Sequence, residues 1–198
     1  MNQNILKPKL IVNCGSMFSG KSTALISQGQ RYSLAGHKTV FLKPSIDVRW
    51  SIDEVVTHNH FGVPAIRVGA NESICDVEEV ALADVVLIDE IQFFNMDEIM
   101  TDIEALLWFG KVVIVSGLDL DSNGKPFEIT MQLMAKAETV NKFNAVCGHC
   151  GDNAWVSAKK TDDESRIQVG GAETYVPLCR TCFEKFKQQK AGSEGEWQ

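Results

Sequence analysis

GSMFSGKS occupies residues 15–22 and directly follows an apolar run, Leu10-Ile11-Val12-Asn13-Cys14. The stretch is a glycine, four residues, then Gly-Lys-Ser, the pattern of a phosphate-binding loop set between a strand and a helix. Its glycines let successive backbone N–H groups turn inward around phosphate oxygens, and the helix that follows adds the positive end of its dipole. In such a loop Lys21 reaches the β- and γ-phosphates and the Ser22 hydroxyl ligates Mg²⁺. The predicted ligand is ATP with Mg²⁺, with Gly15, Ser16, Met17, Phe18, Ser19, Gly20 and Thr23 completing the binding stretch.

Downstream, Asp84-Val-Val-Leu-Ile-Asp89-Glu90 is an apolar strand that ends in two acids. A carboxylate at the end of such a strand contacts Mg²⁺ beside the phosphate loop, directly or through water. Asp89 is the expected metal partner. Short Val/Ile/Leu-rich strands are predicted at Leu10–Cys14, Thr39–Leu42, Val85–Ile88 and Val112–Val115, with a weaker one at Ala65–Val68. Helices are predicted between them. One runs over 21–35 and stops at Gly36. Another runs over 96–109, with Asn95 as its cap, Glu98 at the capping-box position, and a core stripe of Ile99, Ile103, Leu106 and Leu107. Strands alternating with helices predict an α/β fold: a P-loop NTPase of RecA-like type, its parallel sheet flanked by helices. This domain is expected over residues 1–144.

Composition changes near residue 145, where Gly, Cys and polar residues take over. Strand signals there are short, at Ile167–Val169 and Tyr175–Leu178. Cys147-Gly-His-Cys150 and Cys179-Arg-Thr-Cys182 are two CxxC pairs with 28 residues between them. In a reducing compartment, four such cysteines read as one tetrahedral, structural Zn²⁺ site with no open position for water. His149 sits inside the first pair, but four thiolates already fill the site. A small zinc lobe is therefore expected over 145–186, its thin core compensated by the metal. A polar, disordered tail is expected over 187–198. The loop between the pairs contains Gly170-Gly171-Ala172-Glu173-Thr174-Tyr175. Composition alone favours a plain surface loop, although small residues also allow main-chain groups to read the edge of a planar base.

The chain has 198 residues, 44% hydrophobic, and a formal net charge of −7. That balance argues against a protein that coats nucleic acid, which needs an excess of Lys and Arg. No apolar run is long enough to span a bilayer, and no signal segment opens the chain, so a cytoplasmic location is expected.

Together these residues make the sequence resemble the type II thymidine kinases over roughly residues 9–183. The resemblance is carried by GSMFSGKST at 15–23, KPSIDVRWS at 43–51, DEIQFF at 89–94, GLDLDSNGKPF at 117–127, CGHC at 147–150 and GGAETYVPLCRTC at 170–182. It implies transfer of the γ-phosphate of ATP to the 5′-hydroxyl of thymidine. It implies Glu90 as general base, Asp89 holding Mg²⁺ through water, and Lys21 and Ser22 on triphosphate and metal. Arg49 would neutralise charge on the transferred group. Met17, Phe93 and Leu118 would line the nucleoside pocket with Ser157, while a lasso carrying Gly170, Gly171 and Tyr175 closes over the base, anchored by zinc. Feedback inhibition by thymidine triphosphate and a homotetramer, or failing that a dimer, are also implied. The sequence departs from the family at Ser122-Asn123, where an aromatic–basic pair is usual. Ser157 stands where many members have Thr, keeping the hydroxyl.

Other residues read more simply as structure. An ordinary surface arginine is the lesser alternative for Arg49. His58 and His60 are loop residues, and Trp50, Phe94 and Trp108 are packing residues. Cys14 and Cys75 are small buried residues. Rival readings are a zinc-ribbon ATPase acting on nucleic acid, a kinase for another nucleoside, and a nucleotide sensor without catalysis. ATP turnover with thymidine against turnover with DNA separates the first from the kinase.

Overall fold

Strand β1 (Lys9–Gly15) is buried along nearly its whole length, and its alternate residues face two different cores. Leu10, Val12 and Cys14 join one cluster and Ile11 the other, as the two-residue period of a strand requires. The computed structural model describes residues 6–47, 53–56, 62–163, 165–166 and 168–191. In chain order the elements are β1, α1 (Lys21–Leu34), β2 (Thr39–Pro44), β3 (Glu54–Val56), β4 (Gly62–Pro64), β5 (Ile66–Val68), α2 (Glu78–Leu82) and β6 (Val85–Ile88). They continue with α3 (Met96–Trp108), β7 (Val112–Gly117), α4 (Glu128–Lys136), β8 (Thr139–Phe143), β9 (Val156–Lys159), β10 (Tyr175–Leu178) and α5 (Arg180–Ala191).

Six strands form one sheet in the order β5-β2-β6-β7-β1-β8. Every pairing in it is parallel. The central strands β6 and β7 are buried throughout, which is why they read as unbroken apolar runs rather than alternating ones. Helix α1 packs Leu25 and Ile26 on one face with Phe41, Leu87 and Ile114. Helices α3 and α4 cover the other with Ile99, Ile103, Leu106, Ile129 and Leu133. Gly29 lets α1 approach closely, since a Cβ there would lie 2.4 Å from the Phe41 ring.

Parallel strands put all their carboxyl ends on one edge. β7 lies between β1 and β6, so the loops after these three strands meet there. Ligands of open α/β sheets bind at this edge.

The smaller lobe pairs β9 with β10 antiparallel. Its own core joins Ala145, Ala154, Val156, Leu178, Phe183 and Phe186, with Phe18 and Leu120 from the larger part packed against it.

Apart from the one expected at 167–169, the predicted strands and the two named helices are present. Asn95 caps α3 by accepting from the N–H groups of Asp97 and Glu98, but its own N–H donates to Ala70 O, so no reciprocal capping box closes. Gly36, at φ 89°, follows α1 as expected. Four expectations are corrected. Trp108 is 87% exposed, because it is rotated off the stripe that buries Ile99, Ile103 and Leu106. Cys75 is exposed, the inward place in its turn being taken by Ile74. Helix α5 continues through 187–191, where a disordered tail was expected to begin; Lys187 pairs with Glu184 and Lys190 with Asp162 at its end. Gln168 and Val169 are not in a strand, and Ile167 lies outside the described residues. Strand β8 had no apolar signal because it is the sheet edge, and its TVNKF sequence is largely exposed.

Candidate functional site

The loop after β1 begins with Gly15 at φ 140°, where an added Cβ would lie 2.0 Å from the Phe143 carbonyl oxygen of β8. Only glycine fits this start of the loop. Gly20, in the left-handed region, precedes α1 and supplies no side-chain cap. A helix start of this kind suits an anion. Lys21 is buried and its Nζ donates to Ser16 O at 2.8 Å. A phosphate arriving at the loop competes for that ammonium. Ser22 Oγ donates to Asp89 Oδ2 at 2.9 Å, joining the start of α1 to the end of β6.

Asp89 is buried and its other oxygen accepts from the Glu90 N–H at 3.0 Å. Burial, and then the charge of Glu90, push its carboxyl up to about 7, against the Ser22 hydroxyl, the Glu90 N–H and Lys21, which lower it. A carboxylate and a hydroxyl at this spacing form part of a hard-oxygen ligand set suited to Mg²⁺, and a cation there would favour the ionised acid.

Glu90 adopts φ 51°, a left-handed conformation that is strained for a residue with a side chain. Its carboxylate accepts from Gln92 Nε2, and Gln92 Oε1 accepts from the Leu118 N–H at 2.9 Å. Gln92 is buried and links the loops after β6 and β7. Sequence reasoning gave it no role, although a lone amide inside Ile91-Gln92-Phe93-Phe94 was the available signal. Lys43 and Asp47 were also given no role. Lys43, the last residue but one of β2, is buried, its Nζ 3.2 Å from Glu54 O and 3.7 Å from Asp47 Oδ2.

These groups line one cleft. Residues Met17 to Thr23, Lys43, Asp47, Asp89 and Glu90 face it, with Leu118 and Gly171 at its border. A second, narrower cavity adjoins it, walled by Phe93, Phe127, Ser157, Gly170 and Tyr175. Met17 and Leu118 line both and mark the junction. Gly171 therefore faces the phosphate-loop cleft while its neighbour Gly170 faces the second cavity. Ser157 is tied to the loop itself, its Oγ accepting from the Met17 N–H at 2.7 Å. Tyr175 donates its hydroxyl to Gln168 O at 2.8 Å, fixing the ring beside the cavity. Asp121 and Arg166 also line this cavity and were not singled out from the sequence. Arg49, Trp50, His58 and His60 lie outside the described residues.

The four sulfurs of Cys147, Cys150, Cys179 and Cys182 lie within 4.8 Å of one another. They come from two turns. Cys147 accepts from the Gly151 N–H at 3.0 Å, and Gly148 donates to Pro177 O at 2.8 Å, which brings the two turns together. Burial would raise the Cys147 thiol, but the N–H groups of Cys179, Cys150 and His149 outweigh it and bring it to about 6. Four thiols in this arrangement could hold a metal ion as thiolates. His149 Nδ1 is 3.5 Å from Cys182 Sγ, beside the cluster and outside the four-sulfur set.

Among the described residues, no helix is long and apolar enough to cross a membrane. The family described as thymidine kinase matches residues 8–183. A thymidine kinase from Rhodothermus sp. (strain ITI 518) is 42% identical over 174 residues, spanning 87% of this chain and 80% of that protein. Among solved structures, the flagellar accessory protein FlaH from Methanocaldococcus jannaschii superposes with a TM-score of 0.52 at 13% identity, covering 77% of each chain. At that identity the likeness concerns the fold alone.

Proposed function

The chain belongs to the thymidine kinase family and phosphorylates thymidine in nucleotide salvage, and we propose that ATP occupies the cleft at the phosphate loop while thymidine occupies the adjoining cavity. The observation that carries this arrangement is the junction at Met17 and Leu118, where a polar, phosphate-binding cleft opens into a small aromatic-walled slot. A 5′-hydroxyl presented from the slot then faces the γ-phosphate in the cleft.

The loop N–H groups of 15–20 and the Lys21 ammonium hold the triphosphate, and Ser22 and Asp89 hold Mg²⁺ with it. Held by Ser22 and Asp89, the ion would supply positive charge against the charge that develops on the transferred group. Glu90 takes the 5′-hydroxyl proton as the attack begins. Gln92 keeps that carboxylate aimed, because its amide is itself fixed by the Leu118 backbone. Arg49 supplies a further positive charge. Phe93, Phe127 and Tyr175 enclose the base, and main-chain groups near Gly170 read its edge. An analogue that presents a donor where the site expects an acceptor leaves buried groups unpaired, which is costly.

The four cysteines suit a structural Zn²⁺ that fixes the base of the 151–178 connection. Their free thiols belong in a reducing, cytoplasmic compartment. Thymidine triphosphate would place its base in the slot and its phosphates toward the loop, inhibiting from one shared site. A homotetramer completes the reading. A panel of nucleosides with ATP–Mg²⁺ tests it: thymidine should be the preferred acceptor, and preference for another nucleoside would overturn the assignment of the slot. Thymidine triphosphate should inhibit more strongly as ATP is lowered.

A further inference from the structure

Two loops contribute walls to the slot: the β7–α4 loop, through Leu118 to Phe127, and the β9–β10 connection, through Arg166, Gln168 and Gly170. One side chain joins them. Arg166 Nε donates to Asp121 Oδ2 at 3.1 Å, and a terminal nitrogen of the same guanidinium donates to Pro126 O at 2.8 Å. Its central carbon lies 5.2 Å from the centroid of the Phe127 ring, within cation–π range. All three contacts reach across to a single loop.

Asp121 is built to receive such a cation. Its side chain is 2% exposed, and its other oxygen accepts from the N–H groups of Asn123 and Lys125 at 3.0 and 2.9 Å. Those bonds shape the turn, so this carboxylate is present whether or not Arg166 reaches it. A buried carboxylate deprived of its cation is strongly disfavoured. The Arg166 side chain is 48% exposed. Salt and water therefore reach one member of the pair, so added salt weakens the contact.

We propose that Arg166 is a positioning residue that latches the β9–β10 connection onto Asp121 and so sets the affinity for thymidine. This rests on assigning the slot to thymidine. Closing the latch aligns Gln168, Gly170 and Tyr175, which follow Arg166 and line the same slot. Among the described residues of this connection, Gly171 alone lines the ATP cleft, which is otherwise built mainly by the phosphate loop and the ends of β2 and β6. Substrate affinity is therefore the quantity the latch controls.

Steady-state kinetics on the full chain test the latch, with Arg166→Met, Arg166→Lys, Asp121→Asn and the Met/Asn double variant. Loss of a charge-assisted bond should raise KM for thymidine about tenfold in Arg166→Met and Asp121→Asn. It should change kcat less than about threefold and leave KM for ATP in place. The double variant should be little worse than either single one, because both remove one interaction. Arg166→Lys, which keeps the charge but loses the fork, should fall between. Thymidine is uncharged, so salt has no direct hold on its binding. Wild-type KM for thymidine should nevertheless rise with salt while that of Arg166→Met stays flat. An unchanged KM in Arg166→Met, or equal salt dependence in both proteins, would overturn the proposal. Hydrogen exchange over 160–174 reads the latch apart from catalysis. Faster exchange in Arg166→Met supports it even if thymidine is not the substrate, and unchanged exchange sinks it.

Discussion

The Ser157 hydroxyl accepts a hydrogen bond from the Met17 N–H at 2.7 Å, tying the small lobe's β9 to the phosphate loop across 140 positions of sequence. Both ends are buried. The bond joins the four-cysteine lobe directly to the phosphate loop, with Met17 at the boundary of the two cavities.

Removing this acceptor leaves a buried N–H unsatisfied. Ser157→Ala should cost about 1–3 kcal/mol of stability, measured by urea denaturation. It should also raise KM for both substrates, since Met17 borders both sites. Ser157→Thr keeps the hydroxyl and should retain most of both properties. An Ala variant of wild-type stability would show that the bond contributes nothing net.

Glu90→Gln keeps the size of the side chain but cannot take a proton. Turnover should fall by about 10²–10⁴-fold, with thymidine and ATP still bound. Gln92→Leu leaves the base in place but unaimed, so its kcat should fall less, about tenfold, and KM should move little. Single-turnover assays with equilibrium binding separate these effects. Near-normal turnover of Glu90→Gln would remove it as the base.

Asp89 holds its proton in the fold at a pH where the unfolded chain has lost it. The unfolded state ionises near the ordinary value, so the fold loses stability as pH rises from about 4 through about 7. Above that range the loss is complete. Asp89→Asn, neutral throughout, should therefore be more stable than wild type at pH 8 when no nucleotide is present, with the difference shrinking toward pH 5. It should also lose Mg²⁺-dependent turnover. Unfolding curves at the two pH values give the answer, and a gain confined to acid pH would contradict the assigned cause.

Cys182→Ser should lose the bound metal and loosen the β9–β10 connection. Metal analysis of the wild-type protein should give about one zinc per chain, since four thiolates fill a single tetrahedral site. Chelation should lower the Tm of wild type and leave the variant unmoved. A metal-free wild-type protein of full activity would refute a structural metal.

The sequence by itself determined the elements whose cause is local. A strand, a Gly-rich loop and a helix are written into Leu10 to Leu34 because N–H geometry, glycine torsions and helical spacing act over neighbouring residues. The acidic strand end at Asp89-Glu90 and the two CxxC turns are legible for the same reason. Trp108 was misread because a periodic stripe sets which helix face is buried only once its axis is packed. Strand β8 was missed because an edge needs little apolar surface. Tertiary structure alone decided the partnerships across the chain: Ser22 with Asp89, Gln92 between Glu90 and Leu118, Ser157 with Met17, and Arg166 with Asp121. Each joins residues from different loops, and Gln, Ser and Arg serve equally well on a solvated surface. Their roles appear only when the parallel sheet gathers the ends of β1, β6 and β7 on one edge and the small lobe packs over it, because a hydrogen bond is fixed by distance and burial rather than by separation along the chain.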